Sequence, residues 1–389
     1  MGTKRKRTNQ TAPAAAPAPK KQQKSGGKPA PKAVAIPLDT SPFLNDPRGA
    51  DLKREVELYE LLSSEDVSDR LNAANAIISG LLEGGEGVEE STLQRHLERR
   101  LFRGLASGRK GARLGYSVVL TEIIGQLFGP KNLGKQKYTG LTFDSLLGIL
   151  VAKTKPDGDL SGQEEKDHHF GMLFGLQSFV RAKVLFSDEE NWTAILEKLL
   201  ELAKKKPWIR EECGWVIVEA LAQMTEVQVK TTLDRLVEDG LAMSPEGVGI
   251  WITAKKQFPD MKFPSKPWGK TGNPLDNLQS LAKALKESSL GEDTTPNKQL
   301  AKSGSWNPQL HFVWTLVLAQ YATAVKDKSG VKSEFEHFWK VAVDGRSLPT
   351  SMNFANHCRQ PFFCYCIQGT EILGILALPK SPPRPRGTR

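Results

Sequence analysis

The sequence predicts an all-α protein built as a HEAT- or armadillo-like α-solenoid, with a disordered basic N-terminal tail and an irregular C-terminal tail. Three observations carry this. Apolar residues return every three or four positions in one segment after another between residues 52 and 343, period-two alternation is scarce, and the segments are joined by short polar or proline-containing links. No turn sequence is bracketed by strand-like runs, so a sheet is not expected. Exact sequence repeats are not evident, and a helical bundle is the alternative arrangement of the same helices.

Leu52, Val56, Tyr59 and Leu62 mark a first amphipathic helix, and Leu71, Ala74, Ile78 and Leu81 a second, closed by a Gly/Glu-rich turn at 80–87. Leu93, Leu97, Leu101 and Leu105 form a third, which places Arg95, His96, Arg99 and Arg100 on its exposed side. After a basic turn, Ala112, Tyr116, Val119, Ile123 and Leu127 share one helical face, and Leu114, Leu120 and Ile124 widen it. Most of that helix's circumference is apolar, so it is expected in the interior, covered on more than one side. Gly111 and Gly115 lie four apart on it, where missing side chains let another element approach closely at a propensity cost of about 1 kcal/mol each. Further helices are predicted over 141–152, 170–186, 192–203, 208–223, 227–237, 247–256, 275–286, 309–325 and 334–343. Pro207, Pro245 and Pro308 stand at helix starts, where a missing amide hydrogen costs nothing. Residues 153–167 and 257–273 are the predicted loops. The second is extended and aromatic over 258–268, suited either to docking a partner or to covering the edge of the array.

The formal net charge is +10, unevenly placed. Residues 1–33 hold nine Lys or Arg and no acid, and residues 345–389 hold six basic residues against the single acid Glu371. The stretch between them is left with 39 basic and 43 acidic residues, a net of −4. Affinity for a polyanion grows with the number of phosphates neutralised, so the tails are expected to carry most of any nonspecific nucleic-acid binding. The chain thus divides into a disordered basic tail over 1–47, a helical-repeat domain over 48–344 and an irregular tail over 345–389. Lys4, Arg5, Lys6 and Arg7 have the composition of a nuclear import signal, which implies an import receptor as a partner; the plainer alternative is a solubilising tail. Arg103, Arg109, Lys110 and Arg113 gather at the basic turn, where they are candidates for phosphate contact, the alternative being a solvated corner. No secretory signal is visible, and no apolar run approaches the ~18 residues that span a bilayer, so no membrane partner is expected.

None of the remaining motifs completes a catalytic or ligand-binding set. The stretch 129–135 has the glycine and lysine spacing of a phosphate-binding loop, but Gln136 stands where a hydroxyl should reach magnesium, and it follows a helix rather than a strand. Gly269, Lys270 and Thr271 fail because Pro264 occupies the first glycine position. Asp157 and Asp159 pair two carboxylates in a polar loop without a third acid. His168 and His169 read as a helix start. Cys213 stands alone, and Cys358, Cys364 and Cys366 match no common zinc spacing. No cofactor, metal or catalytic residue is predicted.

Several colinear segments resemble the DNA polymerase phi and Myb-binding protein family: RGLASGRKGARLGYS at 103–117 with Leu120, Thr121 and Glu122, HFGMLFGLQ at 169–177, KPWIRE at 206–211, LAMSPEG at 241–247, FPDMKFP at 258–264, WNPQLHFVW at 306–314 and FWKVAVD at 338–344. The resemblance covers residues 48–344. It implies a nucleolar α-solenoid in ribosomal RNA gene transcription and ribosome assembly, contacting ribosomal DNA or precursor ribosomal RNA and nucleolar proteins, and not a working polymerase. A transport-receptor-like solenoid binding protein cargo is the second reading, and nucleotidyl transfer the third. After Asp344 the sequence departs from the family's pattern, as in a truncated or frame-shifted product or a short paralogue with a disordered tail.

Overall fold

A computed structural model of the chain describes residues 38–83, 87–285, 311–324, 335–338, 340 and 341. The import-signal residues Lys4 to Arg7, Pro308, residues 334, 339, 342 and 343 of the helix expected over 334–343, and all of 345–389 with its three cysteines lie outside the described residues. From Asp39 on, the described residues form helices and turns with no strand among them.

The helices are α1 (Gly49–Leu62), α2 (Val67–Ile78), α3 (Glu90–His96), α4 (Arg103–Leu105), α5 (Lys110–Phe128), α6 (Leu133–Gln136), α7 (Phe143–Thr154), α8 (Gly162–Arg181), α9 (Glu189–Lys205), α10 (Arg210–Leu221), α11 (Glu226–Glu238), α12 (Pro245–Gln257), α13 (Leu278–Leu285) and α14 (Phe312–Ala324). Most follow the predicted segments. The third predicted helix is interrupted by a π turn at Leu97–Phe102 between α3 and α4, yet all four of its leucines are buried. A second π turn, Ser79–Glu83, extends α2 and buries Leu81.

Two expectations about helix starts fail for an identifiable reason. Ser161 accepts a bond from the Glu164 amide while the Glu164 carboxylate accepts one from the Ser161 amide, a reciprocal cap that starts α8 well before residue 170. The loop expected over 153–167 shrinks accordingly, and His168 and His169 lie within α8 rather than at its start. The aromatic loop after α12 covers the core instead of standing free, for Met261, Phe263 and Trp268 are all buried. Phe43, expected in the tail, is buried with its ring 4.5 Å from that of His96.

The helices α2, α5, α8, α10, α12 and α14 pack successively side by side, and α1, α4, α7, α9 and α11 each pack against the stacked helix that follows them. Contacts at both ends show that the stacked helices run parallel. At the C-terminal ends, the Gln223 amide donates to the Val180 carbonyl at 3.0 Å, and the Gln257 amide donates to the Leu221 carbonyl at 2.9 Å. Each glutamine thus adds a bond to a last-turn carbonyl of the neighbouring helix that also accepts the backbone amide three residues on.

As its apolar circumference requires, α5 is an interior helix, packed against α1, α2, α4, α6 and α8. Its glycines do what their spacing implied. A Cβ on Gly111 would lie 2.6 Å from the Ser64 carbonyl oxygen, and one on Gly115 would overlap the carbonyl of Leu62, so the end of α1 rests directly on the α5 backbone. Gly148 in α7 is the opposite case, with nothing within 4 Å of its would-be Cβ. Denaturant unfolding should separate the two. Gly115→Ala should destabilise by about 3 kcal/mol through overpacking, whereas Gly148→Ala should stabilise by up to about 1 kcal/mol through helix propensity.

Candidate nucleic-acid interface

Parallel stacking gathers the positive ends of the helix dipoles along one edge. Acids in the first turn offset this on α2 (Asp69), α8 (Glu164, Glu165), α10 (Glu211, Glu212) and α12 (Glu246). On α5 and α14 there is none, and the α5 N-cap Arg109 makes no capping bond. The approach to α5 is basic, but its first turn is not open, because the Ser64 and Ser63 carbonyl oxygens and Glu65 Oε1 lie 2.6, 3.1 and 3.2 Å from where a Gly111 Cβ would stand.

The structure divides the four predicted contact residues. Arg103 is exposed on α4 and Arg109 at the α5 N-cap, and Lys110 opens α5, its side chain outside the described residues. Arg113 is a correction. It is buried, donates from Nη1 to Asp167 Oδ1 at 3.1 Å and to the Ser107 carbonyl, and lies 5.2 Å from the Phe170 ring. Its charge is committed to joining α5 to α8 and is withdrawn from any phosphate.

Two residues of the edge were not singled out from the sequence. Trp208, in the 3-10 turn before α10, is 41% exposed, and its ring meets Phe170 edge-on at 5.3 Å. Lys166 lies 5.8 Å over the same indole. Phe170 is shared by Arg113 and Trp208, and Lys166 adjoins the Asp167 that holds Arg113, so these side chains form one contiguous patch. Trp208 was visible in the KPWIRE segment, but nothing local to the sequence distinguishes an exposed tryptophan from a core one. Elsewhere on the stack, an open groove of about 540 Å³ crosses α2, α5 and α8, lined by Asn75, Ser117, Val118, Thr121, Glu122 and Arg181.

A family model described as DNA polymerase phi matches residues 96–358, more than half of the sequence. The chain belongs to the DNA polymerase phi family. The match runs past Asp344, where the resemblance was expected to stop. Among the relatives, the rDNA transcriptional regulator pol5 of Schizosaccharomyces pombe is 29% identical over 304 residues, covering 75% of this chain and 29% of the relative. The rDNA transcriptional regulator POL5 of Saccharomyces cerevisiae is 29% identical over 336 residues, covering 74% of this chain and 32% of the relative. The chain spans less than a third of the length of either. No solved structure matches it. Both relatives are named as transcriptional regulators, although the family description names a polymerase.

Several perturbed titratable groups of this family member join helices. Contrary to the exposed side expected for them, His96 is fully buried and Arg95 nearly so, while Arg99 is exposed as predicted. Arg95 Nη2 and Arg100 Nε donate to the buried Glu55 carboxylate at 2.8 and 2.9 Å, tying the third helical segment to α1. Burial alone would raise the Glu55 carboxyl, but the two guanidiniums overcome it and hold it below the ordinary carboxylate range. Arg95 Nη2 also lies 2.7 Å from His96 Nε2, and His96 Nδ1 lies 2.8 Å from the Tyr59 hydroxyl, so both ring nitrogens face polar partners inside the fold. Burial, with Arg95 and Arg100, pushes His96 down to about 3 against the pull of Glu55. At the other end of the stack Glu246 joins α10, α12 and α14 through Arg210 and His311, both at 3.2 Å. Burial raises its carboxyl, but the His311 bond and the Arg210 charge bring it down to about 2. Burial also raises the Cys213 thiol well above its ordinary value. Asp157 and Asp159 are exposed in the loop before α8. Among the described residues no group of three or more His, Cys, Asp or Glu is placed to hold a metal, and no helix is long and apolar enough to cross a membrane.

Two outcomes follow for stability. Arg113→Gln should cost about 3 kcal/mol by stranding Asp167, and Arg109→Gln should stay within about 0.5 kcal/mol, both read from denaturant midpoints. His96 and Glu246 both have folded values below their ordinary 6.5 and 4.5, so the stability they confer is present above those values and lost as pH falls through them. Unfolding midpoints should therefore decline in acid, and His96→Asn should flatten the decline above about pH 5 while leaving the loss at lower pH.

Proposed function

We propose that this chain is a nuclear and nucleolar helical-repeat scaffold that regulates transcription of ribosomal RNA genes and takes part in ribosome assembly. Family membership, together with the name of the two yeast relatives, is the observation that carries the reading. The parallel stack of backed helices supports a HEAT- or armadillo-like solenoid, in which each helix pair contacts its neighbours and the array presents long continuous surfaces. Ribosomal DNA or precursor ribosomal RNA is bound through the N-terminal tail, with Arg103 and Arg109 as the contribution of the folded body. Nucleolar proteins use the groove across α2, α5 and α8, whose mix of small polar side chains and the 44% exposed Val118 suits a polypeptide segment. Lys4, Arg5, Lys6 and Arg7 serve import. The chain is read as non-catalytic, because the perturbed carboxylates Glu55 and Glu246 are consumed in ties between helices and Asp157 and Asp159 stand apart from them.

Chromatin immunoprecipitation is the direct test. The tagged chain should be enriched on ribosomal RNA genes and concentrated in nucleoli, and changing Lys4 to Arg7 to alanine should leave it in the cytoplasm. Cargo binding sensitive to a small nuclear GTPase, without enrichment on those genes, would instead establish the transport-receptor reading. In vitro, deleting residues 1–33 should reduce the slope of log affinity against log salt more than Arg103→Gln with Arg109→Gln, because each phosphate neutralised contributes about 0.9 to that slope on duplex DNA.

A further inference from the structure

The N-terminal edge of the stack holds more than charge. Arg103, Arg109 and Lys166 are exposed, and no carboxylate pairs with them at salt-bridge distance, although neighbouring lysines are neutralised: Lys153 faces Glu98 at 3.8 Å, Lys204 binds Asp239 at 2.8 Å and Lys206 binds Glu165. Beside them stands an indole that the fold holds in place without covering. Pro207 opens the single 3-10 turn that carries Trp208, the Phe170 ring abuts it at 5.3 Å, and the His169 ring lies 6.2 Å away. Phe170 is itself fixed by Arg113 on its other side. The ring is 41% exposed with a lysine ammonium 5.8 Å over it, so a partner that joins a flat π face to negative charge suits the site better than a purely apolar one.

We propose that Trp208 is a stacking platform for an unpaired nucleobase, and that with the exposed cations Arg103, Arg109 and Lys166 it binds single-stranded nucleic acid in preference to duplex. The inference rests on the reading of this face as a nucleic-acid contact. Its chemistry is general: backbone phosphates meet the cations, and a base ring meets the indole face. In a duplex the bases are stacked on one another and the ring has nothing to receive, so the tryptophan discriminates strand state where the cations do not.

The test uses the full chain and fluorescence anisotropy with labelled oligonucleotides of about 12 nucleotides, as single-stranded RNA, single-stranded DNA and duplex DNA. Trp208→Ala should weaken both single strands about ten-fold and change duplex affinity less than about two-fold, with no change in salt slope. Trp208→Phe keeps a ring and should restore most of the loss, while removing the quenching of Trp208 emission that strand addition produces. It also guards against misreading a folding defect. Arg103→Gln with Arg109→Gln should weaken strands and duplex alike and lower the salt slope. If the arginine pair has that effect but Trp208→Ala binds single strands like the parent, the platform is wrong and the edge reading stands. If neither change affects any nucleic acid, the edge reading fails and the platform with it, and the exposed indole is a protein contact. RNA bound more tightly than DNA of the same sequence would assign the platform to transcripts, and equal binding to any unpaired strand.

Discussion

Everything in this structure follows from stacking helices in parallel. Like ends of six dipoles are brought to one edge, an arrangement that an antiparallel bundle avoids, and each junction has to answer it. The answer recurs. A basic residue in the first turn of one helix reaches an acid near the start of the next, Arg113 to Asp167 between α5 and α8, and Arg210 to Glu246 between α10 and α12. At the opposite edge, glutamine amides close carbonyls in the same repeated way. Screening of a dipole end is worth about 0.3–1 kcal/mol, whereas breaking a buried pair costs about 3–5 kcal/mol. These ties therefore fix the register between helices far more strongly than they neutralise the dipoles.

That logic explains what the sequence could and could not disclose. Helix faces were legible because their periodicity is local, and Gly111 and Gly115 were legible as a close approach because two missing side chains on one face have few other uses. The burial of Arg95, His96 and Arg113 was not, because Glu55 lies 40 residues before Arg95 and Asp167 lies 54 residues after Arg113. A charged residue looks solvated until its counterion is found. The start of α8 was a different kind of miss. Ser161 and Glu164 stand in the sequence at cap spacing, but the polar first turns they begin carry no apolar stripe, so the helix was recognised only where its apolar face starts. The array was legible as helix succession and not as a repeat, since what recurs is the geometry of the ties and not the residues between them.

The same ties bear on how charge should be read. A body with a net charge of −4 outside its basic ends looks ill suited to a polyanion. Many of its acids, however, are held by cations within the fold, among them Glu55, Asp167, Glu219 and Glu246. Each such pair removes a cation with the acid and leaves the net unchanged, so what a strand of nucleic acid meets depends on where unpaired cations such as Arg103, Arg109 and Lys166 are exposed. Net charge governs long-range approach, and local composition governs what happens on contact.

The π turn at Leu97–Phe102 acts as a phase corrector. Leucines spaced strictly by four, as at 93, 97, 101 and 105, advance about 40° per step on an ordinary α-helix, so by Leu105 the stripe would have slid about 120° around the cylinder and off the core. The widened turn takes up that slip. Removing one residue there would leave the segment helical yet swing Leu101 and Leu105 about 100° relative to His96, pulling the leucines or the Glu55 network out of place. At this point the protein tolerates a change of side chain far better than a change of length.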